Sequence, residues 1–116
     1  MRAVRFHAAR DIRVEDVAPP SDVLLPDDVL IEPFISGICG TDLHEYIAGP
    51  IVTPQTPHVY TGATNPQILG HEFSARVKKV GSGVSHVKEG DRISVQPLLF
   101  PRDDYFGKRG LYHLSP

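Results

Sequence analysis

The chain has 116 residues, with twelve lysines and arginines against fourteen aspartates and glutamates, and a formal net charge of −2. Its length suits one domain with a hydrophobic core and is too short for two ordinary ones. The absence of a basic stripe argues against nucleic acid as a partner. No run approaches the ~18 apolar residues of a membrane span, and the start lacks the apolar core of a signal peptide. The single cysteine excludes an internal disulfide and predicts a cytoplasmic location.

The first forty residues predict short strands. Met1–His7 and Asp11–Asp16 both alternate as strands do, and the three-residue link between them is short enough for a hairpin. The two prolines that follow cannot donate to a ladder and end the pairing. Asp27–Ile38 is predicted to be a longer strand, in which Pro33 marks an edge or a bulge.

The middle of the chain predicts one helix, one long loop and two more strands. The helix is expected over Asp42–Gly49, with Thr41 or its neighbour as the N-cap. Residues 48–67 contain four prolines and two glycines, which prevent regular structure, and a loop of this length is usually functional or mobile. Strands are predicted at His71–Val80 and Arg92–Gln96, with glycine turns between them.

Many short strands separated by glycine and proline turns predict a mainly β fold, either a barrel or a sandwich. A dinucleotide-binding unit would need the pattern G-x-G-x-x-G between a strand and a helix. The one candidate, Gly81–His86, lacks the third glycine, so we predict no Rossmann domain in this chain. The last stretch, Phe100–Pro116, is charged and irregular.

Three residues predict a metal site. Cys39 lies between two glycines in GICGTD, and His71 and Glu72 follow a glycine in LGHE. Zinc accepts thiolate, imidazole and carboxylate ligands, and a catalytic zinc has three protein ligands and a water. Adjacent residues of a strand point to opposite faces, so only one of His71 and Glu72 is an expected direct ligand unless the strand start is irregular. The alternative is that Cys39 is a small buried hydrophobe and His71 an ordinary hydrogen-bonded residue.

The segments GICGTDLH and LGHEFSARVKKVGSGVSHVKEGDRISV resemble the zinc-dependent medium-chain alcohol dehydrogenases. The pattern G-H-E-x-x-x-x-V-x-x-V-G-x-x-V-x-x-x-x-x-G-D-R-V is nearly complete. Residues 1–116 fit that family's N-terminal, GroES-like catalytic domain, a partly open β-barrel with short helices and long loops. The run HEYIAGPI and the later pairs Pro57-His58 and Thr61-Gly62 look most like the 2,3-butanediol dehydrogenase and acetoin reductase branch. Sorbitol and threonine dehydrogenases are close seconds.

The resemblance implies a ligand set for one catalytic zinc. Cys39 and His71 would be direct ligands, and Glu72 would be a ligand in some states only. Asp42 would orient His71 or the surroundings of the metal. The remaining protein ligand of this family would come from a residue beyond this chain.

The resemblance also implies a reaction, the NAD(P)-linked oxidation of a small alcohol or diol to a ketone. Thr41 would begin a proton relay and His44 would end it. The alternative is that Thr41 serves only as a helix cap and that His44 is an ordinary surface residue. Because the cofactor domain is absent from these residues, we expect no turnover by this chain alone. The alternatives are a non-enzymatic zinc-binding or interaction module on a GroES-like fold, and a zinc-free reductase relative, which the retained ligand set disfavours.

Relatives in this branch usually carry a second, structural zinc bound by four cysteines. The matching positions here are occupied by other residues, namely Pro101, Asp104, Gly107 and Ser115. One carboxylate does not replace four thiolates, so residues 98–116 are interpreted as a remnant of that lobe and no structural zinc is expected. The face that would dock a cofactor domain is expected to be apolar and to allow self-association.

Overall fold

The computed structural model describes residues 1–115, so Pro116, the last residue of the predicted domain, lies outside the described residues. The described chain forms six strands, one α-helix and two single-turn 3-10 helices. The strands are β1 (Arg2–Ala8), β2 (Asp11–Asp16), β3 (Val29–Ser36), β4 (Gln67–Ile68), β5 (Phe73–Val80) and β6 (Arg92–Ser94). The helix α1 is Gly40–Ala48, and the 3-10 helices are Gly107–Arg109 and Tyr112–Leu114. The prediction of a mainly β chain is confirmed.

The first sheet has the order β2-β1-β4 and is antiparallel. Its β1–β2 hairpin forms over the two segments in which the sequence alternates. In the turn between them, the Arg10 backbone has a φ of 61° and its N–H donates to the Tyr46 carbonyl of α1 at 2.6 Å. The hairpin is therefore tied to the helix. The third strand, β4, pairs Gln67 with Phe6 and was not predicted.

The second sheet has the order β3-β5-β6 and is also antiparallel. The long predicted strand is shortened at both ends to Val29–Ser36. The register of β3 against β5 shifts between Pro33 and Ile35, which confirms the predicted irregularity at the proline. The last two predicted strands are shorter as well, since β5 begins at Phe73 and β6 ends at Ser94.

The hydrophobic core is small and lies on β1 and β5. The buried apolar side chains in the described chain are Ala3, Phe6, Ala75 and Val77. Ala75 and Val77 are two residues apart and share one face of β5, whereas Ala3 and Phe6 are three apart and so point to opposite faces of β1. Many larger apolar side chains remain exposed, among them Ile38 at 77%. No helix within residues 1–115 has the length and apolar character needed to cross a membrane.

Candidate metal centre

The N-terminus of α1 positions the cysteine. The helix begins at Gly40 with Cys39 as its N-cap, so the prediction of Thr41 or its neighbour as the cap was wrong. The reason is Asp42, whose Oδ2 accepts the Cys39 N–H at 2.9 Å and so caps the helix from its third position. The thiol thus lies at the positive end of the helix dipole, which favours its thiolate form.

An irregular backbone positions the histidine and the glutamate. Because β5 begins only at Phe73, His71 and Glu72 precede the regular strand and the alternate-face rule does not apply to them. Gly70 has a φ of 114°, which a side chain rarely adopts, and a Cβ there would lie 2.9 Å from Ser36 Oγ. A glycine is therefore required immediately before His71.

The three predicted ligands converge. Cys39, His71 and Glu72 each offer one ligand atom, and these atoms all lie within 4.8 Å of one another. Ligands of a tetrahedral zinc, with bonds of 2.0–2.3 Å, are about 3.3–3.8 Å apart, so about 1 Å of side-chain closure is needed. Cys39 and His71 are partly buried and Glu72 is exposed. This donor set fits a zinc ion.

Two neighbours orient the imidazole ring of His71. Its Nδ1 faces Asp42 Oδ1 at 3.7 Å, and its Nε2 faces Thr41 Oγ1 at 3.3 Å. A carboxylate behind the far ring nitrogen is the arrangement that fixes metal-ligating histidines in proteins. Asp42 thus contacts both halves of the site, since its other oxygen holds the backbone of Cys39.

Hydrogen bonds and nearby charges shift the pKa values of Cys39 and His71 in the directions that favour their charged forms. The hydroxyl and backbone N–H of Thr41, together with His71, lower the pKa of Cys39 through hydrogen bonds to the sulfur. The hydrogen bond to Cys39, with the charge of Asp42 behind the ring, raises the pKa of His71. Thiolate is the form of cysteine that binds metal, so the lowered pKa of Cys39 favours metal binding.

Replacing Thr41 with valine is expected to raise the pKa of Cys39, because the hydroxyl that stabilises the thiolate is removed. At neutral pH the variant will contain less thiolate and react several-fold more slowly with iodoacetamide. The measurement is the pH dependence of alkylation of the metal-free chain, with the exposed Thr61→Val as the matched control. A Thr41→Val profile identical to that of wild type would show that the hydroxyl does not stabilise the thiolate.

Of the two residues of the predicted proton relay, Thr41 contacts His71 of the metal cluster at 3.3 Å. His44 is exposed three residues later on α1, and no hydrogen bond joins it to Thr41 in the described chain. The role of His44 stays a prediction. Sequence reasoning missed Glu45, which is 2% exposed and carries a buried charge. No signal marked it, since a glutamate in a short surface helix is normally solvated.

A cavity of about 350 Å³ lies beside the metal cluster. Its walls combine polar side chains with apolar ones, as expected for a site that takes a small polar organic molecule. Its lining includes Thr41, Glu45, Val52, Thr53, Pro54 and His71.

The segment that the sequence predicts to be a remnant of a structural-zinc lobe makes contacts among its own residues. Asp104 Oδ1 accepts the Gly107 N–H, and the Arg109 guanidinium lies 3.9 Å from the centre of the Tyr105 ring. Both contacts stabilise the local conformation of this segment. The absence of a structural zinc remains a prediction, for which the donor chemistry of these positions is the support.

Residues 25–114 match the family model of the alcohol dehydrogenase GroES-like domain. The chain is 44% identical over 116 residues to the (R,R)-butanediol dehydrogenase of Bacillus subtilis strain 168, covering 99% of this chain and 32% of that protein. It is 40% identical over 114 residues to the sorbitol dehydrogenase of Gallus gallus, covering 98% and 30%. The crystal structure of 2R,3R-butanediol dehydrogenase from Bacillus subtilis matches with a TM-score of 0.85 and 43% identity, covering 98% of this chain and 31% of that one.

The chain therefore spans about a third of the length of the curated relatives it matches. The similarity extends over nearly all of the chain and includes both segments, GICGTDLH and LGHE, that carry the predicted ligands. The predicted resemblance to the butanediol dehydrogenase branch is confirmed. The chain belongs to the alcohol dehydrogenase GroES-like domain family.

Proposed function

We propose that the chain is the catalytic-domain portion of a zinc-dependent alcohol or polyol dehydrogenase. The reaction is the NAD(P)-linked oxidation of a secondary alcohol or diol, such as 2,3-butanediol, to a ketone. The observation that carries the proposal is the convergence of Cys39, His71 and Glu72 within 4.8 Å, beside a cavity of about 350 Å³. Similarity to butanediol and sorbitol dehydrogenases supports the substrate class.

In this proposal Cys39 and His71 would hold one zinc ion, and Glu72 would be a ligand in some states only. Bound zinc would supply a Lewis acid for an alcohol or carbonyl oxygen. Thr41 Oγ1, 3.3 Å from His71 Nε2, is placed to hold a proton lost by the alcohol. His44, exposed on the same helix, would pass that proton to solvent.

Hydride transfer requires a nicotinamide cofactor and a domain that positions it. The strands described in residues 1–115 pair only in the antiparallel sense, so they contain no dinucleotide-binding βαβ unit. We therefore expect the purified chain, supplied with zinc, NAD and 2,3-butanediol, to form no NADH.

The test is a chimera in which this chain replaces the corresponding third of the Bacillus subtilis butanediol dehydrogenase. The chimera is expected to oxidise 2,3-butanediol with NAD, and the same chimera with Cys39→Ser is expected to be inactive. A folded, zinc-containing chimera that oxidises no alcohol would contradict the proposal. It would favour the non-enzymatic zinc-binding module, which requires the same three ligands.

We also propose that the isolated chain self-associates through an apolar groove of about 430 Å³ between the first sheet and α1. The groove includes exposed Ile12 and Leu43, at 43% and 52%. Contiguous apolar surface of this kind commonly mediates association. We also propose a cytoplasmic location for the protein, because Cys39 must be reduced to bind a metal.

A further inference from the structure

Glu45 is the buried charged side chain of the described chain, with 2% exposure, and it lies one helical turn after Thr41 on the same face of α1. Its carboxylate is surrounded by donors from the loop that follows the helix. Five hydrogen bonds reach it, from the N–H groups of Ile51 (to both oxygens, each at 3.0 Å), Val52 and Thr53 (3.1 Å), and from Thr53 Oγ1 (3.1 Å).

These bonds keep a buried group charged. Burial alone would raise the pKa of Glu45, but the hydrogen bonds from Val52, Ile51 and Thr53 outweigh it and hold the pKa below its usual value. A carboxylate that accepts several backbone N–H groups is strongly bound to the segment that supplies them. Glu45 and residues 51–53 therefore form one unit.

The same unit reaches the far end of the long loop. Thr53 Oγ1 accepts a hydrogen bond from Asn65 Nδ2 at 3.2 Å, and the Asn65 N–H donates to the Pro54 carbonyl at 2.9 Å. At the near end, a Cβ on Gly49 would collide with the Glu45 carbonyl and carboxylate. The chain thus turns tightly over Glu45 and returns beside it.

This unit forms part of the cavity next to the metal cluster. Val52, Thr53 and Pro54 line the cavity that Thr41 and His71 also line. Four hydrogen bonds from backbone N–H groups and one from the Thr53 hydroxyl hold this segment to Glu45, so it has little freedom to move outward. Small cavities with fixed walls discriminate among ligands by size.

We propose that Glu45 is a positioning residue, which holds residues 51–53 as the wall of the substrate cavity and thereby makes the site prefer a small diol over a bulky one. The proposal rests on the proposed function, because it treats the cavity as the alcohol-binding site. It adds a residue outside the ligand set and a determinant of substrate size.

The experiment uses the ¹⁵N-labelled chain saturated with zinc, titrated with 2,3-butanediol and with 1-phenyl-1,2-ethanediol and followed by amide chemical shifts. Hydrogen exchange of the Ile51, Val52 and Thr53 amides is measured on the same samples. Glu45→Gln is the principal variant, and Thr53→Val is a milder one that keeps the carboxylate. The matched control is Glu32→Gln, because Glu32 is exposed and pairs with Lys78 on the second sheet.

In Glu45→Gln we expect exchange of the three amides to be about tenfold faster. We expect its preference for the smaller diol to fall by about threefold or more, because the released wall admits the phenyl group. Thr53→Val should change the exchange rates and the ratio of diol affinities in the same direction but by less. Glu32→Gln should leave both quantities unchanged.

Faster exchange with an unchanged ratio of diol affinities would overturn the positioning role and leave Glu45 as a structural anchor. Unchanged exchange in a folded Glu45→Gln chain would overturn the proposal even where both diols bind. If Glu45→Gln does not fold, the proposal is tested on Thr53→Val by the same amide exchange rates and the same ratio of diol affinities. If wild type binds neither diol, the proposed preference for a small diol is overturned, while the exchange rates still show whether Glu45 holds the wall and the chimera still tests the proposed function.

Discussion

Replacement of His71 by alanine is expected to weaken zinc binding by more than about 100-fold. Loss of a residue that only hydrogen-bonds to a metal ligand typically weakens metal binding by about 10- to 100-fold, and loss of a ligand should weaken it more. His71 offers one of three candidate ligand atoms that lie within 4.8 Å of one another, and no substitute nitrogen lies in that cluster of described residues. Affinity is measured by competition with a chromophoric chelator at constant pH, because protons compete for the same ligands.

A graded comparison distinguishes ligand from neighbour. Asp42→Asn keeps an oxygen for the Cys39 N–H but removes the charge 3.7 Å from His71 Nδ1, so it is expected to cost about 10- to 100-fold in zinc affinity. The exposed His113→Ala is the matched control and should bind zinc as wild type does. A His71→Ala chain with wild-type affinity would remove His71 from the ligand set.

Replacement of Phe6 by alanine is expected to lower the free energy of unfolding by about 3–5 kcal/mol. Phe6 is 1% exposed and, with Val77, is one of the largest completely buried side chains in residues 1–115. Because few apolar side chains are buried, no neighbouring core compensates for the cavity. The loss should extend toward the metal site, since Phe6 pairs with Gln67 in the strand that leads to Gly70 and His71.

Urea denaturation followed by circular dichroism measures this effect. Phe34→Ala is the control, because Phe34 is 49% exposed and the Arg76 guanidinium lies over its ring, 5.5 Å from the ring centre. The control should lose much less stability than Phe6→Ala. Equal losses of unfolding free energy in the two variants would show that Phe6 of β1 is not a main part of the hydrophobic core.

The alternation of apolar residues was sufficient to predict most of the sheet structure. The first hairpin follows from two alternating runs of five or more residues, which indicate a repeating environment. The position of α1 was predicted from the glycine turn and the capping residues that precede it. The strand β4 is only Gln67–Ile68, next to a proline, and two residues have no period to detect. Its existence depends on Phe6, about sixty positions earlier in the chain.

The types of the candidate ligands were predictable from the sequence, but the backbone conformation and hydrogen bonds that position them were not. Cys39 and His71 are marked by their glycine neighbours, whereas the inclusion of Glu72 depends on the φ of 114° at Gly70, which no periodicity reports. The N-cap at Cys39 depends on a side chain three residues ahead. The burial of Glu45 arises only when the following loop folds back over it, a contact between segments that local sequence does not encode.

The central claim is that this chain binds a single catalytic metal through Cys39. The most direct test is cobalt(II) titration of the metal-free chain, because cobalt accepts the same ligands as zinc and reports a thiolate ligand in its absorption spectrum. We predict one tightly bound cobalt per chain with a thiolate-to-metal charge-transfer band, and loss of that band in Cys39→Ser. Failure to bind the ion, or a bound ion whose spectrum is the same in wild type and Cys39→Ser, would contradict the claim.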